Sequence, residues 1–267
     1  MTKVVSITSG KGGVGKTAVV ANIASCLARA GKKILVLDAD LGLANIDVVL
    51  GLNPPYNLNH FFSGEKDLRS IMVEGPHGMR ILPAGSGLQS FIQLNADQKL
   101  RLLDGLEALD DNFDFVFIDT EAGISENVTY FNTAAHDIIL VTTPDPTAIT
   151  DAYALMKLLS TRYHEKRFFL VVNMVEDETE ALDVYRKLTV VANRYLDISI
   201  EYFGSIPHDR QMADSIRKQK AIVDLNSSSA TARSFMSLAR RIEAMAVSRT
   251  PKGSVQFFWK RLLQPTT

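Results

Sequence analysis

Cysteine is almost absent from this 267-residue chain, with Cys26 the only one. A disulfide within the chain is excluded, and so is a zinc or iron–sulfur centre built on several thiolates of one chain. A symmetric pair of chains would bring only one thiol each, so a cluster-carrying role is excluded as well. Cys26 follows Val19 and Ile23 and precedes Leu27 in a helical pattern, which reads as a small buried apolar residue. Charge of one sign is also lacking. The 29 Lys and Arg nearly balance 30 Asp and Glu, for a net charge of −1. That argues against whole-molecule attraction to nucleic acid and leaves local basic patches open. No apolar run approaches the roughly 18 residues of a membrane span. No charged-then-apolar start ends in a small-residue cleavage site, so no secretory leader is expected and the cytoplasm is the expected compartment. Internal repeats and low-complexity tracts are missing too.

What is present is 46% apolar residues in a chain long enough for a sizeable core, and a single α/β domain is expected. Apolar, β-branched runs predict strands near 3–8, 33–37, 79–82, 114–118, 137–142, 167–172 and 200–206. Helical patterns fall near 16–30, 96–109, 147–162, 177–195 and 228–246. Runs such as Ile34-Leu35-Val36-Leu37 and Phe115-Val116-Phe117-Ile118 are continuously apolar, as in a parallel sheet covered on both faces. The alternation predicts a mostly parallel, doubly wound α/β sheet with helices on both faces. The segment 51–65, with Gly51, Pro54, Pro55, Asn57, Asn59 and Gly64, reads as a loop-rich surface excursion. The expected division is one α/β domain over 1–247, a linker over 248–254 and an amphipathic helix over 255–264.

The chemistry starts directly after the first predicted strand. Gly10-Lys11-Gly12-Gly13-Val14-Gly15-Lys16-Thr17 has the GxxxxGK[ST] spacing in a strand-then-helix context, which is a phosphate-binding loop. The glycines let backbone N–H groups converge on an anion, and the helix that follows, from Lys16 through Thr17 and Ala18, adds its N-terminal dipole. Lys16 is the lysine for β/γ-phosphates, and the Thr17 hydroxyl is a Mg²⁺ ligand. Lys11 is surplus to an ordinary loop of this kind and points to a site completed across a dimer.

Carboxylates follow two further strand ends, where ligands bind in open α/β sheets. Asp38 and Asp40 close Leu37-Asp38-Ala39-Asp40, and Asp119 closes Phe115–Asp119. A Mg²⁺–triphosphate needs one carboxylate near the metal and another to orient the attacking water. Asp119, supported by Asp38, suits the first role and Asp40 the second. An acid at a strand end can also merely cap a helix.

The loop Lys11–Thr17, the Asp38-Ala39-Asp40 switch and Asp119-Thr120-Glu121-Ala122-Gly123 together resemble the MinD/ParA class of P-loop ATPases, over essentially residues 1–246. Within that class, Asp40–Asp47 and Thr142–Tyr153 look most like the FlhG group (FleN or YlxH) of flagellar-number regulators. The resemblance implies ATP and Mg²⁺ as cofactors and a slow ATPase working as a molecular switch. It implies an ATP-dependent sandwich homodimer in which Lys11 reaches the partner's phosphates. It assigns Asn173 to the adenine and Pro207 to the wall beside the base, positions that are otherwise ordinary strand-end turn residues. Implied partners are the FlhF-type GTPase, flagellar basal-body or switch proteins and a flagellar transcription activator. In many relatives a DQAxxLR-like N-terminal extension stimulates that GTPase. The sequence given starts at Met1-Thr2-Lys3, so this stimulation is not expected.

Glu121 departs from the class pattern, which expects a small residue or proline there. If its carboxylate faces the site, it repels a γ-phosphate and ATP affinity, dimerisation or hydrolysis suffers; if it faces away, nothing follows. At the other end of the chain, Val255, Phe258, Trp259 and Leu262 share one helical face with Leu263 beside them, among Arg249, Lys252, Lys260 and Arg261. That composition suits a helix lying on an anionic membrane surface, and equally a last helix packed on the core. Two copies in an ATP-bound dimer would make membrane attachment ATP-dependent through avidity. The expected location is therefore cytoplasmic, with peripheral membrane association in the ATP state. The alternatives are a MinD-type division-site ATPase and a ParA-like partition ATPase. The latter would need a basic surface such as Arg217, Lys218 and Lys220 or Arg233, Arg240 and Arg241, clusters that more simply read as solvated helix faces, so nonspecific DNA is not an expected partner.

Overall fold

The computed structural model describes residues 2–85, 93–109 and 113–245. In chain order the elements are β1 (Lys3–Ser9), α1 (Lys16–Arg29), β2 (Ile34–Ala39), α2 (Ile46–Leu50), α3 (Leu58–Phe62), α4 (Leu68–Ile71), β3 (Val73–Glu74), a 3-10 turn (Pro76–Gly78), β4 (Arg80–Leu82) and α5 (Ala96–Glu107). The second half continues with β5 (Phe115–Ala122), α6 (Glu126–Thr133), β6 (Asp137–Thr142), α7 (Pro146–Tyr163), β7 (Arg167–Val175), α8 (Glu178–Tyr195), β8 (Ser199–Pro207), α9 (Arg210–Arg217), α10 (Ile222–Leu225) and α11 (Ala230–Ala244). The strands form one sheet in the order β3-β4-β2-β5-β1-β6-β7-β8, parallel throughout except for the β3–β4 pair.

The apolar runs explain the layering. Alternate residues of a strand point to opposite faces, so a run without polar breaks serves two cores at once. Val5, Ile7, Val36, Phe117, Ile139, Val171 and Phe203 pack with α1 and α11 on one face. On the other face, Val4, Leu35, Val116 and Ile118 pack with α3 to α6, while Ile138, Leu140, Phe168 and Leu170 pack with α7 and α8. The expected doubly wound sheet is therefore the one observed, with each predicted strand and long helix present. Cys26 is buried in α1, and burial pushes its thiol up to about 11.

The segment 51–65 departs from the expected surface excursion. Leu58, Phe61 and Phe62 are buried in α3 and belong to the core below α5. Asn57 and His60 form a reciprocal capping box at its start, and the Leu58 N–H donates to the Pro83 carbonyl at 2.9 Å. Full burial of a Leu or Phe side chain contributes about 1.5–3 kcal/mol, which holds down a segment of low helix propensity. Among the described residues no helix is long and apolar enough to cross a membrane. The linker at 248–254 and the expected membrane face of Val255, Phe258, Trp259, Leu262 and Leu263 lie outside the described residues.

Candidate nucleotide site

β1 lies between β5 and β6; the connection out of β1 runs through α1 to β2 on the β5 side, while β5 crosses through α6 to β6 on the other, so the winding reverses here and opens a crevice at the carboxyl ends of these strands. Loop 10–15 fills that position. Gly13 and Gly15 have φ of 80° and 86°, the left-handed region where a Cβ is strained. Gly15 is also the N-cap of α1 and contributes no side-chain cap, so the helix keeps first-turn N–H groups for an anion. A Cβ on Gly10 would overlap the Asp151 carbonyl group in α7, whereas Gly12 and Gly13 face open space. The loop is thus packed tightly behind and open in front.

Lys16 is buried, and its Nζ lies 2.7 Å from Oδ1 of Asp119. Asp119 is the register partner of Asp38 across the parallel β2–β5 pair, which brings the two carboxylates together. Asp38 accepts from the backbone N–H of Asp40 at 3.1 Å, Asn45 at 3.2 Å and Ile46 at 3.3 Å. Burial, with Asp119 beside it, holds the Asp38 carboxyl well above the usual carboxylate range despite those donors. Asp38 therefore also organises the loop into α2, a role its strand-end position alone does not reveal. Asp40 accepts from the Leu43 N–H at 3.0 Å, and burial raises its carboxyl too.

Lys11 stands away from Lys16. Its Nζ is 3.1 Å from Oδ2 of Asp145 and bonds to the Thr147 hydroxyl, at the start of α7. The hydrogen bonds from Thr147, and then that from Lys11, hold the Asp145 carboxyl below the usual carboxylate range. Glu121 is half-buried, accepts from the Ser125 hydroxyl, and has its carboxyl raised by burial.

Asn173 lies two residues before the end of β7 and Pro207 ends the adjacent β8, opposite Val175. The Asn173 amide donates to the Val14 carbonyl at 2.7 Å, a contact that a Cβ on Gly15 would obstruct. A cleft of about 540 Å³ opens there, lined among others by Lys11, Gly13, Pro144, Met174, Glu180 and His208. Met174, with φ of 59°, sits where the β7–β8 register shifts. Ala18 and Thr17 lie in the first turn of α1, the former buried.

Beneath the site, sequence reasoning missed a buried polar chain. The Ser6 hydroxyl donates to Asn132 at 2.8 Å, and Asn132 donates to the Thr8 hydroxyl at 3.1 Å. The Thr120 hydroxyl reaches Thr8 at 2.9 Å. It fixes β1 against β5 and α6. Of the basic residues considered for DNA, Arg217 pairs with Asp214 at 2.9 Å, Arg233 donates to the Ser228 carbonyl, and Arg241 donates to the Tyr202 carbonyl at 3.0 Å.

The donor set fits Mg²⁺ and a polyphosphate. Free helix N–H groups, Lys16 and an open glycine front suit the anion, and hydroxyl and carboxylate oxygens suit the hard cation. Among the described residues no group of three or more His, Cys, Asp or Glu is set to hold a metal by itself.

Comparison with known proteins agrees with this geometry. A family described as an AAA domain matches residues 2–170. The antiactivator FleN of Pseudomonas aeruginosa is 40% identical over 98% of this chain and 94% of its own length. The flagellum site-determining protein YlxH of Helicobacter pylori is 35% identical, over 98% of this chain and 90% of its own. The septum site-determining protein MinD of Pyrococcus horikoshii, solved with Mg-ADP, superposes with a TM-score of 0.76 at 25% identity, covering 91% of this chain and 97% of that one.

Proposed function

The chain belongs to the MinD/ParA class of P-loop ATPases, FlhG-like within it and served by ATP and Mg²⁺, and on that premise we propose that it is a dimerising, membrane-cycling switch that regulates flagellar number or placement. Lys11 carries the proposal. Lys16 already supplies a cation beside Asp119, while Lys11 is a second, accessible cation at the rim, parked on Asp145 of its own chain. A lysine so placed is free to leave for the phosphates of a second copy. ATP then closes the dimer, and hydrolysis reopens it.

The roles divide as follows. The loop from Gly10 to Gly15 and the first turn of α1 bind the phosphates, with Asn173 and Pro207 beside the base. Thr17 and Asp119 hold Mg²⁺, which supplies charge neutralisation on the phosphate oxygens. Asp38 supports Asp119. Asp40 orients the attacking water, in a loop whose shape Asp38 sets. Turnover is slow, as befits a switch, and partners of the flagellar apparatus read the ATP form. The tail beyond residue 248 attaches the dimer to anionic lipid, each Lys or Arg near the surface adding about 1 kcal/mol.

Sedimentation with anionic liposomes tests this reading, using the full chain in ATP, the full chain in ADP, and a chain truncated after Ser248 in ATP. Pelleting is expected only with ATP and only with the tail. Pelleting in ADP to the same extent, or without the tail, overturns the membrane cycle.

A further inference from the structure

Met174 breaks the pattern of β7. The strand is buried from Phe168 to Asn173 and again at Val175, whereas Met174 between them is 42% exposed. Asn173 pairs with Ile206 and Val175 with Pro207, so Met174 is the extra residue of a bulge. Its φ of 59° lies in the left-handed region, where an L side chain is strained and glycine is not. Met174 also belongs to none of the three apolar clusters that cover the sheet. A long apolar side chain thus stands on a backbone that favours glycine, in a place where it does not pack the core. Such an outlier calls for a functional reason.

The side chain goes to the nucleotide cleft instead. A Cβ on Gly15 would stand 3.5 Å from its terminal methyl carbon, so Met174 reaches the phosphate loop itself. The cleft of about 540 Å³ has the loop residues Lys11 to Val14 in one wall and Met174 in another. A nucleotide whose phosphates sit on the loop has its base left to place, and this cleft adjoins the loop. Its polar side chains are partly engaged: Asp145 holds Lys11, and Glu180 accepts from the Glu176 N–H at 2.8 Å. Asn173 is buried, and its amide nitrogen donates to the Val14 carbonyl at 2.7 Å. Val14 is buried too, which leaves Met174 and Pro144 as the accessible apolar side chains of the lining.

We propose that Met174 is a specificity-determining residue: its side chain is the apolar platform against which the nucleotide base lies, favouring the two-ring face of a purine over a pyrimidine. This rests on the ATPase reading of the same site and adds to it what holds the base. An unbranched thioether adapts to a flat ring, and its sulfur makes favourable contacts with aromatic systems. Contact of this kind has no donor or acceptor pattern, so it grows with the ring area covered. The base is common to ATP and ADP. The platform therefore strengthens both equally and leaves the direction of the switch to the phosphates.

The test is equilibrium binding of ADP, CDP and pyrophosphate, each with Mg²⁺, to the full chain, to Met174→Gly and to Met174→Leu. Glycine is at ease in the left-handed region, so Met174→Gly removes the side chain without straining the fold. Pyrophosphate has no base and reports whether the loop is intact. Met174→Gly should weaken ADP about tenfold, CDP less than about threefold and pyrophosphate less than about twofold, the size of one apolar side chain uncovered by a ring. Met174→Leu, which restores apolar area, should bind ADP within about threefold of the wild type. Unchanged ADP affinity in Met174→Gly, an equal loss for ADP and either CDP or pyrophosphate, or no recovery in Met174→Leu overturns the proposal while leaving the ATPase reading intact. Failure of the wild-type chain to bind ADP or pyrophosphate overturns both.

Discussion

Two buried lysine–aspartate pairs sit at opposite ends of the sheet, and they are built on different terms. At the amino end, Lys3 Nζ is 3.1 Å from Asp137 and donates to the Met245 carbonyl at 3.0 Å, while Arg167 donates to the other oxygen of Asp137 at 2.6 Å. These residues begin the adjacent strands β1, β6 and β7, and the group closes on itself with two cations around one acid. At the carboxyl end, Lys16 meets Asp119 at 2.7 Å with Asp38, Asp40 and Glu121 nearby and burial raising the last three. One pair is a finished piece of structure. The other carries a surplus of acid, relieved by retained protons or by a cation brought from outside. Burial and ion pairing alone do not mark a functional site; the balance of charge around the pair does.

The sharpest way to break the comparison is to remove the lysine from each end. Lys16→Met should abolish measurable ATP and ADP binding, a loss of about a hundredfold or more, and lower hydrolysis at least as much. Lys3→Met should leave nucleotide affinity unchanged and cost about 3 kcal/mol in denaturant unfolding, the low end for a broken buried pair because Arg167 remains on Asp137. If Lys3→Met alters nucleotide affinity, or Lys16→Met leaves it intact, the division of labour is wrong. Next in size is Asp40→Ala, which should keep ATP and the dimer while phosphate release falls by about a hundredfold. Rapid hydrolysis by that variant removes Asp40 from the mechanism.

The smallest effect is on pH. Asp38, Asp40 and Glu121 have folded values above the usual range, so the folded chain holds protons that the unfolded chain has released. Stability therefore falls as pH rises from about 4 through the raised values. The thermal midpoint of the nucleotide-free chain should decline gently from about pH 5 to 7 and flatten with Mg-ADP present. A midpoint that climbs over that window contradicts the assignment of surplus acid to this end.

What could be read from sequence follows from range. The glycine-rich loop, Asp38 and Asp119 are each marked by a short string next to a strand, and the parallel register does the rest by bringing the two acids side by side. The long helices and strands were legible because their apolar periods extend over several turns or a full strand. The helices α2, α3, α4 and α10 are four or five residues long, shorter than any period can register, and are held by caps such as Asn57 and Asp67. The contacts Lys11–Asp145, Asn173–Val14 and Ser6–Asn132 join residues more than 120 positions apart using common residue types. Nothing local announces such pairs; the topology creates them. Asp38 shows the mixture, since its place was readable but its three backbone donors were not.

The fastening of the phosphate loop has a kinetic side. Val14 is tied to β7 through Asn173, Gly10 rests on the backbone of α7, and both contacts depend on glycines that leave no room for adjustment. The loop is consequently a preformed mould rather than a hand that closes. Nucleotide capture then needs no closure of this loop, and in the proposed cycle the slow clock is left to the meeting and parting of two chains.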